Sequence, residues 1–445
     1  MGGAAFSSGP DPLNTPRMSP AVYEAVRERC HRVLREVFVA VATPIEGPGK
    51  TDYGDVDVLV AVGREPDSEG DEGRLREAVR RLGAERAIHV PSKATVALPW
   101  PEREEDEAAI RHVQVDLAVL PSLAALQWAL FKHAHGDFWN VLGTVLRPLG
   151  LTIDETALWL RVPEIEQANR RRARVFLSSD PAEVLHFLGL PVLGGGGEEK
   201  GSEGGESSSE TEETQRTQRT KSTRGSDPDG PLSLWERPFA DADSMFAYAV
   251  RSRFFVLPPD DNTIGTDDTH TSLPGRSKAN DRRRLRYRPV FRQWATDFVP
   301  AYRRRLAVEA VETSSPTPTR ASVRDAAFAR FADAGCRYHH TRTAWLAERR
   351  AVDVWAAAKA AVPASLPGRY RSAACAAIRR RLDEGPDPDT VPDMTTNDAL
   401  EGMTGLAAWT VDQAVAFVTT HWQTLAAEVA PEEHTHYLSA SKAED

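Results

Sequence analysis

Two segments of the chain carry a dense apolar pattern of strand length. Residues 55–62 read D-V-D-V-L-V-A-V and residues 113–120 read V-Q-V-D-L-A-V-L. Their length and β-branched content predict buried strands. Ahead of them, Ser19-Pro20 offers a capping hydroxyl followed by proline at the first helical position, which predicts a helix to about Arg35. Residues 37–42 read as a short strand and 46–54 as a Gly/Pro loop. An amphipathic helix is expected at 74–82, strands at 87–90 and 94–98, and polar loops at 66–73 and 99–107. Helices follow at 122–134 and 136–149, a strand at 157–162, and a helix opened by Asp180-Pro181 that ends near Leu190. From Leu285 onward the pattern is helical and alanine-rich, with segments at 287–305, 323–362, 369–383 and 411–429. The predicted class is α+β: a small domain with a mixed β-sheet, followed by a mainly helical C-terminal region.

Composition sets the domain boundaries. Residues 1–18 are rich in Gly, Ser and Pro, lack the basic patch and apolar core of a signal peptide, and are expected to form a disordered tail. The sheet domain is expected at 19–193. Residues 194–231 are low-complexity Gly, Glu, Ser and Thr, which bury too little apolar area to offset their entropy, and read as a disordered linker. A helical region starts at 232–257, a polar loop interrupts it at 258–280, the helical domain runs over 281–431, and 432–445 is expected to be a tail.

Charge and cysteine content narrow the setting. The formal net charge of −10 argues against a generally basic nucleic-acid coat. Between Arg276 and Arg305, however, eleven Lys or Arg stand against two Asp, so a local basic surface is compatible with the acidic average. No run of about 18 apolar residues occurs, so no membrane partner is expected. Three scattered cysteines, without a C-x-x-C pair, suit a reducing compartment, cytoplasmic or nuclear. Nothing in the pattern fixes an oligomeric state.

The chemistry lies in the acids of the two apolar strands. Alternate strand residues share a face, so Asp55 and Asp57 point the same way. Asp116 interrupts an otherwise apolar strand and requires a partner. Two unit charges 4 Å apart repel by roughly 4 kcal/mol at an effective dielectric of 20, so clustered carboxylates on strand ends point to divalent metal. The plain alternative is a D-x-D that ends a loop and an Asp116 paired with Arg111 or Lys93.

The segment G-K-T-D-Y-G-D-V-D-V-L-V, with V-Q-V-D-L further on, resembles the polymerase-beta-like nucleotidyltransferase superfamily, particularly its uncharacterised fungal, phage and viral members. H-G-D-F-W-N-V-L-G at 135–143 and F-L-S-S-D-P-A-E-V-L-H-F-L-G-L at 176–190 are similar to segments of the same members. The resemblance covers roughly 35–190, with a weaker echo at 287–300. It implies a small mixed sheet flanked by helices, Mg2+ or Mn2+ held by Asp55, Asp57 and Asp116 as catalytic and metal residues, and a nucleoside triphosphate such as ATP as donor. The family's Gly-Ser turn has no clean match. Gly49-Lys50-Thr51 is the nearest candidate, since glycine amides, an ammonium and a hydroxyl all suit phosphate. Gly54, beside the D-x-D, and Lys93 complete the candidate nucleotide contacts; the alternative for Lys50 and Lys93 is a solvated surface lysine.

The expected function is therefore metal-dependent transfer of a nucleotidyl group from a nucleoside triphosphate to an acceptor that the sequence does not identify: an RNA end, a small molecule or a protein side chain. Two other readings stand beside it: a catalytically decayed binding protein on the same scaffold, and a D-x-D glycosyltransferase, in which Asp116 would have no role. His133 and His135 read as basic residues at a helix C-terminus rather than as metal ligands, and Asp137 as a helix cap. The arginines at 282–288 and 303–305 flank Phe291, Trp294 and Phe298, a pattern that suits either a polyanion-binding face or a solvated helix with an aromatic core side.

Overall fold

The computed structural model describes residues 3–62, 70–101, 110–191, 237–257, 279–309, 317–386 and 403–441. The segment expected as a low-complexity linker, most of the 258–280 loop, and residues 66–69 and 102–107 of the two expected polar loops lie outside the described residues; residues 70–73, expected in the first of those loops, are helical instead. The chain divides into two compact units. One comprises Met1–Arg161 with Phe176–Ala334, and the other Val162–Val175 with Gly335–Asp445. The architecture is α+β, with a mixed sheet first and a mainly helical region after it.

The first unit opens with α1 (Pro20–Leu34), β1 (Ala40–Ala42), β2 (Asp55–Ala61), α2 (Gly70–Arg81), β3 (Arg86–Val90), β4 (Lys93–Pro99) and β5 (His112–Leu120). The Ser19 hydroxyl accepts from the Val22 N–H and Pro20 occupies the first turn, as the local sequence predicts. The five strands order as β1-β2-β5-β4-β3. β2 and β5 run parallel at the centre, and the other pairings are antiparallel. Val56, Val58 and Val60 of β2 and Val113, Val115, Leu117 and Val119 of β5 pack with α1 and α2 in the main core. Alternation sends Leu59, Ala61, Ala118 and Leu120 to the opposite face, where α3 (Leu123–His133) covers them with Leu126 and Ala129.

After α4 (Phe138–Leu146) come β6 (Leu151–Ile153), β7 (Leu158–Arg161), α5 (Pro163–Glu166), β8 (Arg174–Ser178) and α6 (Pro181–Leu188). Strands β6, β7 and β8 form a small second sheet. β6 and β8, of three and five residues, have no counterpart among the expected strands. The helices beyond the linker return to the first unit: α7 (Ala242–Ala249), α8 (Ala279–Tyr287), α9 (Pro289–Gln293), α10 (Val299–Glu309) and α11 (Arg320–Arg330). Aromatic side chains tie them in. Phe138 meets Phe239 and Tyr248, and Phe187 meets Phe254 and Phe331.

The second unit contains α5 together with α12 (Ala334–Ala361, from Gly335 onward), α13 (Gly368–Asp383), α14 (Val411–Val429) and α15 (Pro431–Ser441). Trp409 is fully buried at its centre and donates through its indole N–H to the Leu382 carbonyl, 3.0 Å away.

Four expectations need correction. Residues 3–18 are not a free tail. Phe6 and Met18 are buried, and Met18 pairs with Tyr53 through two backbone hydrogen bonds of 2.7 and 3.0 Å. Asn14 forms a bridge with Arg111. The segment expected as one helix at 287–305 is interrupted by a π-turn at Trp294–Phe298, where Trp294, Phe298 and Tyr302 stack in sequence. The segment expected at 323–362 breaks between α11 and α12, because Asp333 takes a left-handed φ of 58°. Residues 431–441 form α15, whose Tyr437 packs on Tyr370 and Trp422.

Candidate active site

The acids occupy the half of the sheet face that α3 leaves uncovered. On β2, Asp55 and Asp57 share the face of Leu59 and Ala61; on β5, Gln114 and Asp116 share the face of Ala118 and Leu120. The parallel register sets Asp57 opposite Asp116 and Asp55 opposite Gln114. Adjacent strands lie about 4.8 Å apart, so four side chains stand at the corners of a small quadrilateral, and three of them are carboxylates. The D-x-D spacing puts Asp55 and Asp57 on one face, and the β2–β5 register sets Asp116 beside Asp57.

The electrostatics follow from that crowding. The Asp55 carboxyl is pushed above the usual carboxylate range, first by lost solvation, then by Asp116, with Lys50 opposing. The Asp57 carboxyl, although partly open to solvent, is pushed from 3.8 to about 6. Lost solvation is the first cause, repulsion from Asp55, Asp116 and Glu46 follows, and His133 opposes. Glu46 was not visible as a site residue in the sequence, because a lone glutamate in a Gly/Pro loop carries no pattern.

The loop between β1 and β2 borders the acids. Lys50 Nζ lies 2.6 Å from Glu46 Oε2 and 4.7 Å from the centre of the Tyr53 ring. Tyr53 stacks on Tyr23 at a ring separation of 4.0 Å. Gly49 adopts a left-handed φ of 71° in open space, and Thr51 is exposed. Gly54 is buried beneath the N-terminal segment. A Cβ on Gly3 would stand 2.2 Å from the Gly54 carbonyl oxygen, so only glycine fits there. Lys93 is the register partner of Ala118, and Thr95 is the partner of Asp116. Lys93 thus shares the acidic face one strand away, two residues along from Thr95, and its side chain is exposed.

The junction of α3 and α4 forms the other border. The Gly47 backbone lies beside Gly136, and the His135 N–H donates to the Ile45 carbonyl at 2.7 Å. His133 Nε2 is 2.8 Å from Glu155 Oε2, a contact that helps hold the Glu155 carboxyl down at about 2. His135 is buried with its ring 4.6 Å from that of Phe239. Asp137 precedes α4 without a side-chain cap bond to it; its carboxylate accepts from Asn140 and, at 2.6 Å, from Arg288. The basic segment is thereby anchored at this junction, with Arg286 over Tyr287, Arg305 over Tyr302, and Phe291 and Trp294 buried.

Among the described residues no three His, Cys, Asp or Glu side chains converge tightly enough to hold an ion as they stand. The donor set nevertheless suits a hard divalent cation. It consists of carboxylate oxygens, and two of the three carboxyls, Asp55 and Asp57, are pushed upward, first by lost solvation and then by the neighbouring acids, as a site short of a cation would be. Among the described residues no helix is long and apolar enough to cross a membrane. No protein-family model matches the chain, and no curated protein matches it.

Proposed function

We propose that the chain is a metal-dependent nucleotidyltransferase acting on a nucleoside triphosphate. The observation that supports this reading is the quadrilateral on β2 and β5, where three carboxylates share the uncovered half of one sheet face. Mg2+ or Mn2+ held by Asp55, Asp57 and Asp116 would supply charge stabilisation for the triphosphate and activation of an acceptor hydroxyl. The protein's own groups have separate tasks. Lys50 places a positive charge beside Asp55 and offsets phosphate charge at the loop. The Gly49 turn lets a phosphate approach the backbone without meeting a side chain. Lys93 adds a second cation on the same face. The acceptor is an RNA end or a small molecule with a free hydroxyl.

The test is incubation of the purified full chain with Mg2+, labelled nucleoside triphosphates and total cellular RNA. Label should transfer to an acceptor, and Asp57→Ala should abolish transfer while the circular dichroism spectrum stays native. Transfer undiminished in Asp57→Ala sinks the proposal.

A second reading, a binding protein on a decayed scaffold, is favoured by two features: Lys50 is already engaged by Glu46, and the Gly54 carbonyl is already covered by Gly3. Calorimetry with each triphosphate separates the two, since binding without turnover favours decay.

A further inference from the structure

The fourth corner of the quadrilateral is Gln114, and its side chain is almost wholly buried. A buried amide must place both its donors and its acceptor. Gln114 does so with two partners of opposite kind. Its Nε2 donates to both carboxylate oxygens of Asp116, at 3.2 and 3.3 Å. Its Oε1 accepts from the backbone N–H of Ala5, at 2.9 Å. The second contact decides the first. A backbone N–H only donates, so it fixes the carbonyl end of the amide toward Ala5 and leaves the NH2 end toward Asp116. The reversed amide would set donor against donor at Ala5 and an oxygen against the Asp116 carboxylate.

The residue type fits this position, and neither glutamate nor methionine does. Glutamate here would add a further negative charge next to Asp55 and Asp116. Methionine has nearly the same length but would leave the Ala5 N–H and the Asp116 oxygens without these partners. The Ala5 backbone is itself held in place. Phe6 is buried, the Leu13 N–H donates to the Phe6 carbonyl at 2.9 Å, and the Thr15 hydroxyl donates to the Gly3 carbonyl at 2.6 Å.

We propose that Gln114 is a positioning residue for the Asp116 carboxylate, and that the N-terminal segment locks it in the working orientation through the Ala5 N–H. The assignment rests on the reading of Asp116 as a site residue, and it extends the site to a part of the chain whose composition resembles a tail. Groups that orient a metal-binding carboxylate typically change metal affinity by about 10- to 100-fold when removed.

The experiment uses the full chain with 15N-labelled glutamine, in which the Gln114 side-chain NH2 pair is followed by NMR without metal. Asp116→Asn should shift both signals. Ala5→Pro, which removes the N–H donor and leaves the sheet untouched, should shift them as well. Signals unmoved by both variants overturn the proposal, whatever the chain does with metal. In parallel, Mn2+ binding is titrated by electron paramagnetic resonance. Gln114→Met should weaken it about tenfold or more with a native circular dichroism spectrum, and equal Kd values for the native chain and Gln114→Met overturn the proposal. If the native chain takes up no Mn2+ while the amide signals respond, the positioning stands and the nucleotidyl-transfer reading fails.

Discussion

The two faces of the five-stranded sheet are made by the same strands and do opposite things. Toward α1 and α2, every inward residue of β2 and β5 is apolar and buried, from Val56 to Val60 and from Val113 to Val119. Toward α3, the same strands carry Asp55 and Asp57, and His112, Gln114 and Asp116, before they turn apolar at Leu59, Ala61, Ala118 and Leu120. One face thus carries the stability that the other face spends on crowded charge. A single-residue alternation separates the two, so neighbouring positions should respond to substitution in opposite ways.

Breaking the apolar face should have the largest effect. Val58→Asp places an unpaired carboxylate in the main core and should cost at least about 4 kcal/mol. No folded material in a urea titration is the expected result, and a native-like midpoint would mean that the two faces are not distinct. On the α3 side, Leu126→Ala should cost about 2–4 kcal/mol by opening a cavity over Leu59 and Ala61, read as a lower urea midpoint with unchanged slope. Ser122→Ala removes the hydroxyl that accepts from the Ala125 N–H at the start of α3 and should cost about 1 kcal/mol in the same titration.

The smallest effect should have the opposite sign. The Asp57 carboxyl titrates at about 6 in the folded chain, above its ordinary 3.8. Between those values the folded chain holds a proton that the unfolded chain has released, so stability falls as pH rises across that window and stays lower above it. Asp57→Asn should therefore match the native chain near about pH 4 and exceed it near about pH 7, by less than about 1 kcal/mol because solvent screens a partly exposed group. Millimolar Mg2+ should raise the thermal midpoint of the native chain and not that of Asp57→Asn. A native chain as stable as Asp57→Asn at both pH values would remove the combined cost of lost solvation and repulsion as the signature of the acidic half-face.

The strands that carry the acids were legible because alternation and β-branched content are strong signals, and the D-x-D spacing alone put Asp55 and Asp57 on one face. That Asp116 joins them was implied by the family resemblance alone, because the pattern carries no register; its place opposite Asp57 comes from the pairing of β2 with β5. Gln114 carried no signal, since a glutamine in an apolar strand becomes meaningful only beside Asp116 and the Ala5 N–H. The N-terminal segment misled for a related reason. Its Gly, Ser and Pro content is that of a free tail, while its placement depends on a few long-range contacts made by Phe6, Met18 and the backbone of Asn14. Composition measures average burial and is blind to a short segment held at isolated points.

The strand order has a consequence for how the molecule comes into being. β5 lies between β2 and β4, so a growing chain that has reached only Pro99 holds β1 with β2 on one side and the β3–β4 hairpin on the other, with no strand between them. Synthesis of residues 112–120 closes that gap and, in the same step, delivers Asp116 to the side of Asp57. The nascent polypeptide is spared the approach of its third carboxylate until the pairing that completes the sheet is there to hold it.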